Sequence, residues 1–121
     1  MVKLILLNKV LKEKHTMPDK NKLDKIINSI LQVVVPDKII LFGSQARNEA
    51  RPDSDYDLLV VKSGIEDGLT VEQKIYRKLY DEDVEAEVDI IVATPEILDR
   101  YKNSIGCILK PALKEGIIVY G

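Results

Sequence analysis

Asp55 and Asp57 stand two residues apart at the head of an apolar run, Tyr56 to Val61, and Asp89 sits in a second such run, Glu87-Val88-Asp89-Ile90-Ile91-Val92. Side chains alternate across a strand, so Asp55 and Asp57 point to one face and Tyr56 to the other. If the strand holding Asp89 lies beside theirs, three negative charges meet at a sheet edge. Their repulsion would raise carboxyl pKa values unless a cation neutralised them. Oxygen donors without His or Cys favour Mg²⁺ or Mn²⁺, which keep several waters and accept phosphate oxygens as remaining ligands. Two such ions about 3.5–4 Å apart stabilise the attacking and leaving oxygens of an in-line displacement at phosphorus.

Gly43-Ser44, at the end of the apolar run Ile39-Ile40-Leu41-Phe42, supplies the complementary half. Glycine lets backbone approach a phosphate, and a helix starting at about Gln45 would aim free N–H groups and its positive dipole end at that anion. Ser44 adds a hydroxyl donor. Arg47, one helical turn on, would reach a phosphate or hold the turn. Each piece has an ordinary structural reading: Asp-x-Asp as a turn cap, Gly-Ser as turn punctuation, Arg47 as a solvated cation or the partner of Glu49 or Asp53. Asp89 differs, because an unpaired carboxylate in an apolar strand is costly and needs a partner or a metal. The ordered set carries the reading.

The elements that must position these residues follow from local patterns. Leu23, Ile26, Ile27, Ile30, Leu31 and Val34 predict a helix face, ended by Pro36 and Asp37. Ile39 to Phe42, Tyr56 to Val61 and Ala86 to Val92 predict strands. Arg51-Pro52-Asp53-Ser54 forms a polar turn, and Gly64 to Gly68 a loop. Thr70 to Gln73 has capping-box spacing ahead of a helix carrying Val71, Ile75 and Leu79. Thr94-Pro95 caps a helix with Ile97, Leu98 and Tyr101. A last helix from about Ser104 would run to Glu115, with Pro111 forcing a bend or a later start. Gly116 stops it, and Ile117 to Tyr120 makes a final strand. Tyr76, Tyr80 and Tyr101 read as packing residues. The alternation predicts an α/β or α+β domain, a small mixed sheet flanked by helices.

Composition bounds the function classes. The 121 residues suit one domain, 19–121, behind an N-terminal appendage, 1–18, of no readable role. Eighteen Lys and Arg against 20 Asp and Glu give a net charge of -2, so there is no strong nucleic-acid signal. One cysteine, Cys107, and one histidine, His15, build neither a disulfide framework nor a zinc site. Leu4 to Leu7 is too short to span a bilayer, and a cytoplasmic location is expected.

The order of strand, Gly43-Ser44, Asp55-x-Asp57, helix and Asp89 resembles the nucleotidyltransferase superfamily related to DNA polymerase β. Gly43-Ser44-Gln45-Ala46-Arg47 and Ala50 to Val60 are similar to the minimal nucleotidyltransferase (MNT) proteins, over a span from about Leu23 to Gly121. Asn48 stands where that family commonly has glycine. The resemblance implies the nucleotidyltransferase fold, with Asp55, Asp57 and Asp89 binding two Mg²⁺ ions and Asp89 activating the acceptor hydroxyl. It implies that Gly43 and Ser44 hold the phosphates of a nucleoside triphosphate, ATP, whose AMP is transferred with release of pyrophosphate. It also implies an antitoxin acting on a tyrosine of a HEPN-domain partner. A second copy of this chain is another candidate to complete the acceptor side. Binding without catalysis, or transfer to a small molecule of the aminoglycoside type, are the alternatives.

Overall fold

Helix α1 (Lys20–Leu31) buries Leu23, Ile26, Ile27 and Ile30 along one face, as a stripe at helical spacing requires. The computed structural model describes residues 20–47, 55–102 and 109–121. The N-terminal appendage with His15, the Arg51 to Ser54 turn, Asn48, the Ser104 cap and Cys107 lie outside the described residues. Helix α1 closes sooner than the Pro36 stop expected from sequence, because the N–H groups of Val33 and Val34 both turn back onto the Ile30 carbonyl. After it come β1 (Lys38–Phe42), a one-turn 3-10 helix (Gly43–Gln45), β2 (Tyr56–Val61), α2 (Gly68–Asp81) and β3 (Val88–Ala93). Helix α3 (Pro95–Tyr101), helix α4 (Leu109–Glu115) and β4 (Ile117–Tyr120) complete the order.

The strands form one mixed sheet in the order β3-β2-β1-β4. β1 runs antiparallel to both β2 and β4, whereas β2 and β3 are parallel, as a connection through helix α2 permits. The α+β sheet expected from sequence is present. Strand alternation divides the core between the two faces. Ile39, Leu41, Tyr56, Leu58, Val60, Ile90 and Val92 pack beneath α1 and α2 with Ile26, Ile30, Ile75 and Leu79. Ile40, Phe42, Leu59, Val61 and Ala93 pack on the other face with Leu98 of α3 and with Leu109 and Ala112 of α4. Being buried on both faces, β1 from Ile39 and β2 from Leu58 read as unbroken apolar runs. None of the described helices is long and apolar enough to cross a membrane.

Two further boundaries differ from the sequence reading. Helix α2 is capped by Asp67 instead of Thr70: the Asp67 side chain accepts from the N–H of Leu69 and Thr70, and the Thr70 hydroxyl donates to the same carboxylate. A carboxylate takes two free N–H groups at once and complements the helix dipole, so it outcompetes the hydroxyl three residues later. Strand β3 begins at Val88, after Ala86 has been drawn into a turn by its N–H bond to the Val84 carbonyl. Pro111 lies in the first turn of α4 as described, where its missing N–H breaks no helical hydrogen bond. The tyrosines are more exposed than expected, with Tyr80 83% and Tyr101 42% exposed.

The Thr94 cap stands as expected, its Oγ1 accepting from Ile97 N–H at 3.2 Å with Pro95 opening α3. Thr94→Ala should therefore lower unfolding stability by about 1 kcal/mol, while Thr94→Ser keeps most of it, measured by denaturant melts.

Candidate active site

Where β1 ends, β2 and β3 begin, and the three carboxylates gather at that end of the sheet. The antiparallel register sets Phe42 opposite Asp57, and the parallel register sets Asp57 opposite Asp89. Asp57 and Asp89 follow the alternation that sends Leu59, Val61 and Ala93 to the α3 and α4 face, so both side chains lie on that face. Asp55 precedes β2 by one residue and is half-buried, as is Asp57, whereas Asp89 is exposed.

That exposure corrects one expectation. An unpaired carboxylate in this apolar strand was expected to be costly. It escapes because β3 is an edge strand whose first residues are open to water, and the cost falls on Asp57 instead. Burial holds the Asp57 carboxyl above its ordinary range. The charges of Asp89 and then Asp55 push it further the same way, as does a hydrogen bond with Asp89, while Arg47 pulls it down. Among the described residues, no three His, Cys, Asp or Glu side chains form a metal-ligating cluster. The structure brings Asp57 and Asp89 together as a pair, with Asp55 within electrostatic reach of Asp57.

Gly43 is the tightest contact of the site. The chain leaves β1 with Gly43 at φ +74°, a left-handed conformation that other residues adopt at a cost. A Cβ there would overlap Asp57 Oδ2 and come within 3.2 Å of its Cγ. Glycine is therefore demanded twice, by the backbone angle and by the carboxylate packed against it. The expected helix from Gln45 is a single 3-10 turn that starts at Gly43 itself, because the left-handed angle reverses the chain at once. The N–H groups of Ala46 and Arg47 both bond to the Gly43 carbonyl, at 3.1 and 3.2 Å, so they are already engaged. The anion-binding helix terminus expected there shrinks to this turn. Ser44 is half-buried on it, and Gln45 is buried beneath it.

Arg47 sits one helical turn beyond Gly43. Its Nη1 lies 3.7 Å from Glu115 Oε2 at the C-terminus of α4, with side chains 43% and 47% exposed. Such a pair contributes little stability, and its effect is to hold a guanidinium beside the acidic cluster. Glu115 was missed by sequence reasoning, and no local signal could have found it. The sequence neighbours Glu49 and Asp53, considered as partners, lie outside the described residues. A separate cavity of about 480 Å³, lined by Lys38, Val61, Leu98 and Lys102 among others, opens at the opposite end of β1 and β2, away from the carboxylates.

Residues 20–119 match the nucleotidyltransferase domain family. A chain from the crystal structure of a toxin-antitoxin with AMP-PNP shares the fold, with a TM-score of 0.54 and 20% sequence identity over 86% of this chain and 74% of that chain. Compared with curated proteins, the chain finds no match.

The raised carboxyl of Asp57 has a consequence for stability. The folded chain binds this proton more tightly than the unfolded chain, so the group's stabilising contribution is present in acid and is lost as pH rises from the ordinary aspartate range through the raised value. Asp57→Asn should melt at a higher temperature than the unsubstituted protein at neutral pH in chelator. The gap should close as the pH falls into the ordinary aspartate range, a trend that thermal melts across pH would show.

Proposed function

The chain belongs to the nucleotidyltransferase domain family, and on that premise we propose that it transfers AMP from ATP to a hydroxyl, that of a tyrosine on a HEPN-domain toxin for which it is the antitoxin. The observation carrying the transfer is the register that sets Asp57 opposite Asp89 with Gly43 packed on the Asp57 carboxylate. The similarity to a chain from a toxin-antitoxin structure containing AMP-PNP, an ATP analogue, supports both the donor and the toxin partner.

The donor set fits magnesium. It offers hard oxygens only, and the repulsion from Asp89 and Asp55 that raises the Asp57 carboxyl is what a cation would relieve. Magnesium usually takes one or two carboxylates plus waters and phosphate oxygens, which suits a pair of carboxylates with a third nearby better than a closed protein cage. Asp55 and Asp57 would hold the ions, two by family resemblance, with Asp89 completing the set. When bound, magnesium would offset the charge developing on the phosphoryl oxygens and the leaving pyrophosphate.

The chain's own residues supply the rest. The Gly43 backbone admits a phosphate close to the strand end, and the Ser44 hydroxyl donates to it. The Arg47 guanidinium adds a fixed positive charge on the same side. Asp89, on the exposed edge, accepts the proton of the attacking hydroxyl. The hydroxyl oxygen then bonds to the α-phosphorus as the bond to the bridging oxygen breaks, and pyrophosphate leaves with that electron pair.

Incubating the protein with ATP, Mg²⁺ and the HEPN partner should yield partner heavier by one AMP, and chelator should abolish the gain. Asp57→Ala should lower the rate by more than ~100-fold while remaining folded, since a metal ligand matters at least as much as the groups that orient one. Unmodified partner beside folded protein would sink the transfer. Should Asp55→Asn with Asp57→Asn still neutralise the toxin, binding without catalysis becomes the account. Arg47→Ala should raise KM for ATP about tenfold with a smaller change in kcat, the loss expected for one charge-assisted contact to phosphate.

A further inference from the structure

Among the described residues, Asp89 occupies a strand with a neighbour on one side only. β3 lies at the sheet edge, and parallel pairing with β2 engages the backbone of Asp89, Ile91 and Ala93 while turning the N–H groups of Ile90 and Val92 outwards. Outward groups on an edge strand ordinarily bond to water, and edge strands shift and fray more readily than interior ones. Here α2 lies along that edge and takes both. Tyr76 Oη accepts from Ile90 N–H at 2.7 Å, and Glu72 Oε1 accepts from Val92 N–H at 2.9 Å. Tyr76 and Glu72 are one helical turn apart and Ile90 and Val92 two strand residues apart, so one helix face matches one strand edge in step.

We propose that Tyr76 and Glu72 are positioning residues for the transfer reaction, clamping the open edge of β3 so that Asp89 is held in register with Asp57. The inference rests on the transferase reading for its kinetic part. Neither residue touches the reacting groups; each acts on Asp89 through the strand, Tyr76 through the adjacent residue. Tyr76 is 41% exposed, so its ring is not a core element whose loss would collapse the fold. Removing its hydroxyl leaves the ring in place and frees Ile90 N–H, letting the start of β3 move about the remaining ladder to β2.

The test compares the unsubstituted protein with Tyr76→Phe, Glu72→Leu, Glu72→Gln and, as a control that loses stability elsewhere, Thr94→Ala. Amide hydrogen exchange at Ile90 should quicken about tenfold in Tyr76→Phe, the value of one net hydrogen bond. In transfer assays well below the melting temperature, kcat should fall severalfold in Tyr76→Phe while KM for ATP stays unchanged. Glu72→Gln, which keeps a carbonyl acceptor, should recover most of what Glu72→Leu loses. Thr94→Ala should melt earlier yet turn over normally, because a slightly destabilised enzyme is still almost wholly folded at the assay temperature. Unaltered Ile90 exchange in Tyr76→Phe, a kcat equal to that of Thr94→Ala, or a loss carried by KM would each overturn the clamp. If the unsubstituted protein releases no pyrophosphate with any acceptor, the transferase reading fails, and Ile90 exchange alone then upholds or removes the clamp.

Discussion

The parallel ladder between β2 and β3 is the constraint on which the site depends. It sets Asp57 opposite Asp89, and it does so only because every other position on β2 is committed to a buried face. Slipping β2 by one residue would exchange the apolar residues of its two buried faces and turn the Asp57 carboxylate into the core beneath α1 and α2, at the cost of a buried charge. The two apolar clusters thus specify an electrostatic arrangement they do not touch. Packing sets the register, and the register sets the charges.

That arrangement is unfavourable by itself. Asp57 is partly withdrawn from water beside two like charges, and the guanidinium of Arg47 is only a partial counterweight. Protein sites that carry such an imbalance are often those that bind an opposing charge from outside. On the proposed reading a cation would do this most directly, and the phosphates of a nucleotide would follow the cation. The rest of the fold dissipates no such tension: among the described residues, every buried side-chain nitrogen or oxygen has a partner.

Much of this was legible in the chain. β1, β2 and β4 are short apolar runs bounded by turn residues, and the Thr94-Pro95 pair is a strong helix start, so local sequence decides them. Asp57 and Asp89 were legible as strand residues because the apolar runs that hold them are local signals. What escaped depended on contacts across the fold. Two rival caps, Asp67 and Thr70, lie within one turn, and only the formed helix shows the carboxylate taking the N–H groups. Asp89 looked buried because its neighbours are apolar, yet burial is a property of strand order, and β3 proved to be an edge. Glu115 reaches Arg47 from the far end of the domain, and Tyr76 reaches Ile90 only because α2 runs beside β3. Neither pairing leaves a mark in the sequence around it.

Gly43 makes the narrowest point of the site out of a hydrogen atom. Since its Cα rests on the Asp57 carboxylate, the turn that closes β1 and the acid on β2 form a single rigid unit. Evolution therefore has no small step available at this position, since even one methyl group displaces the acid. The end of the sheet is thus shaped by what is left out, a side chain that would stand where the acid does.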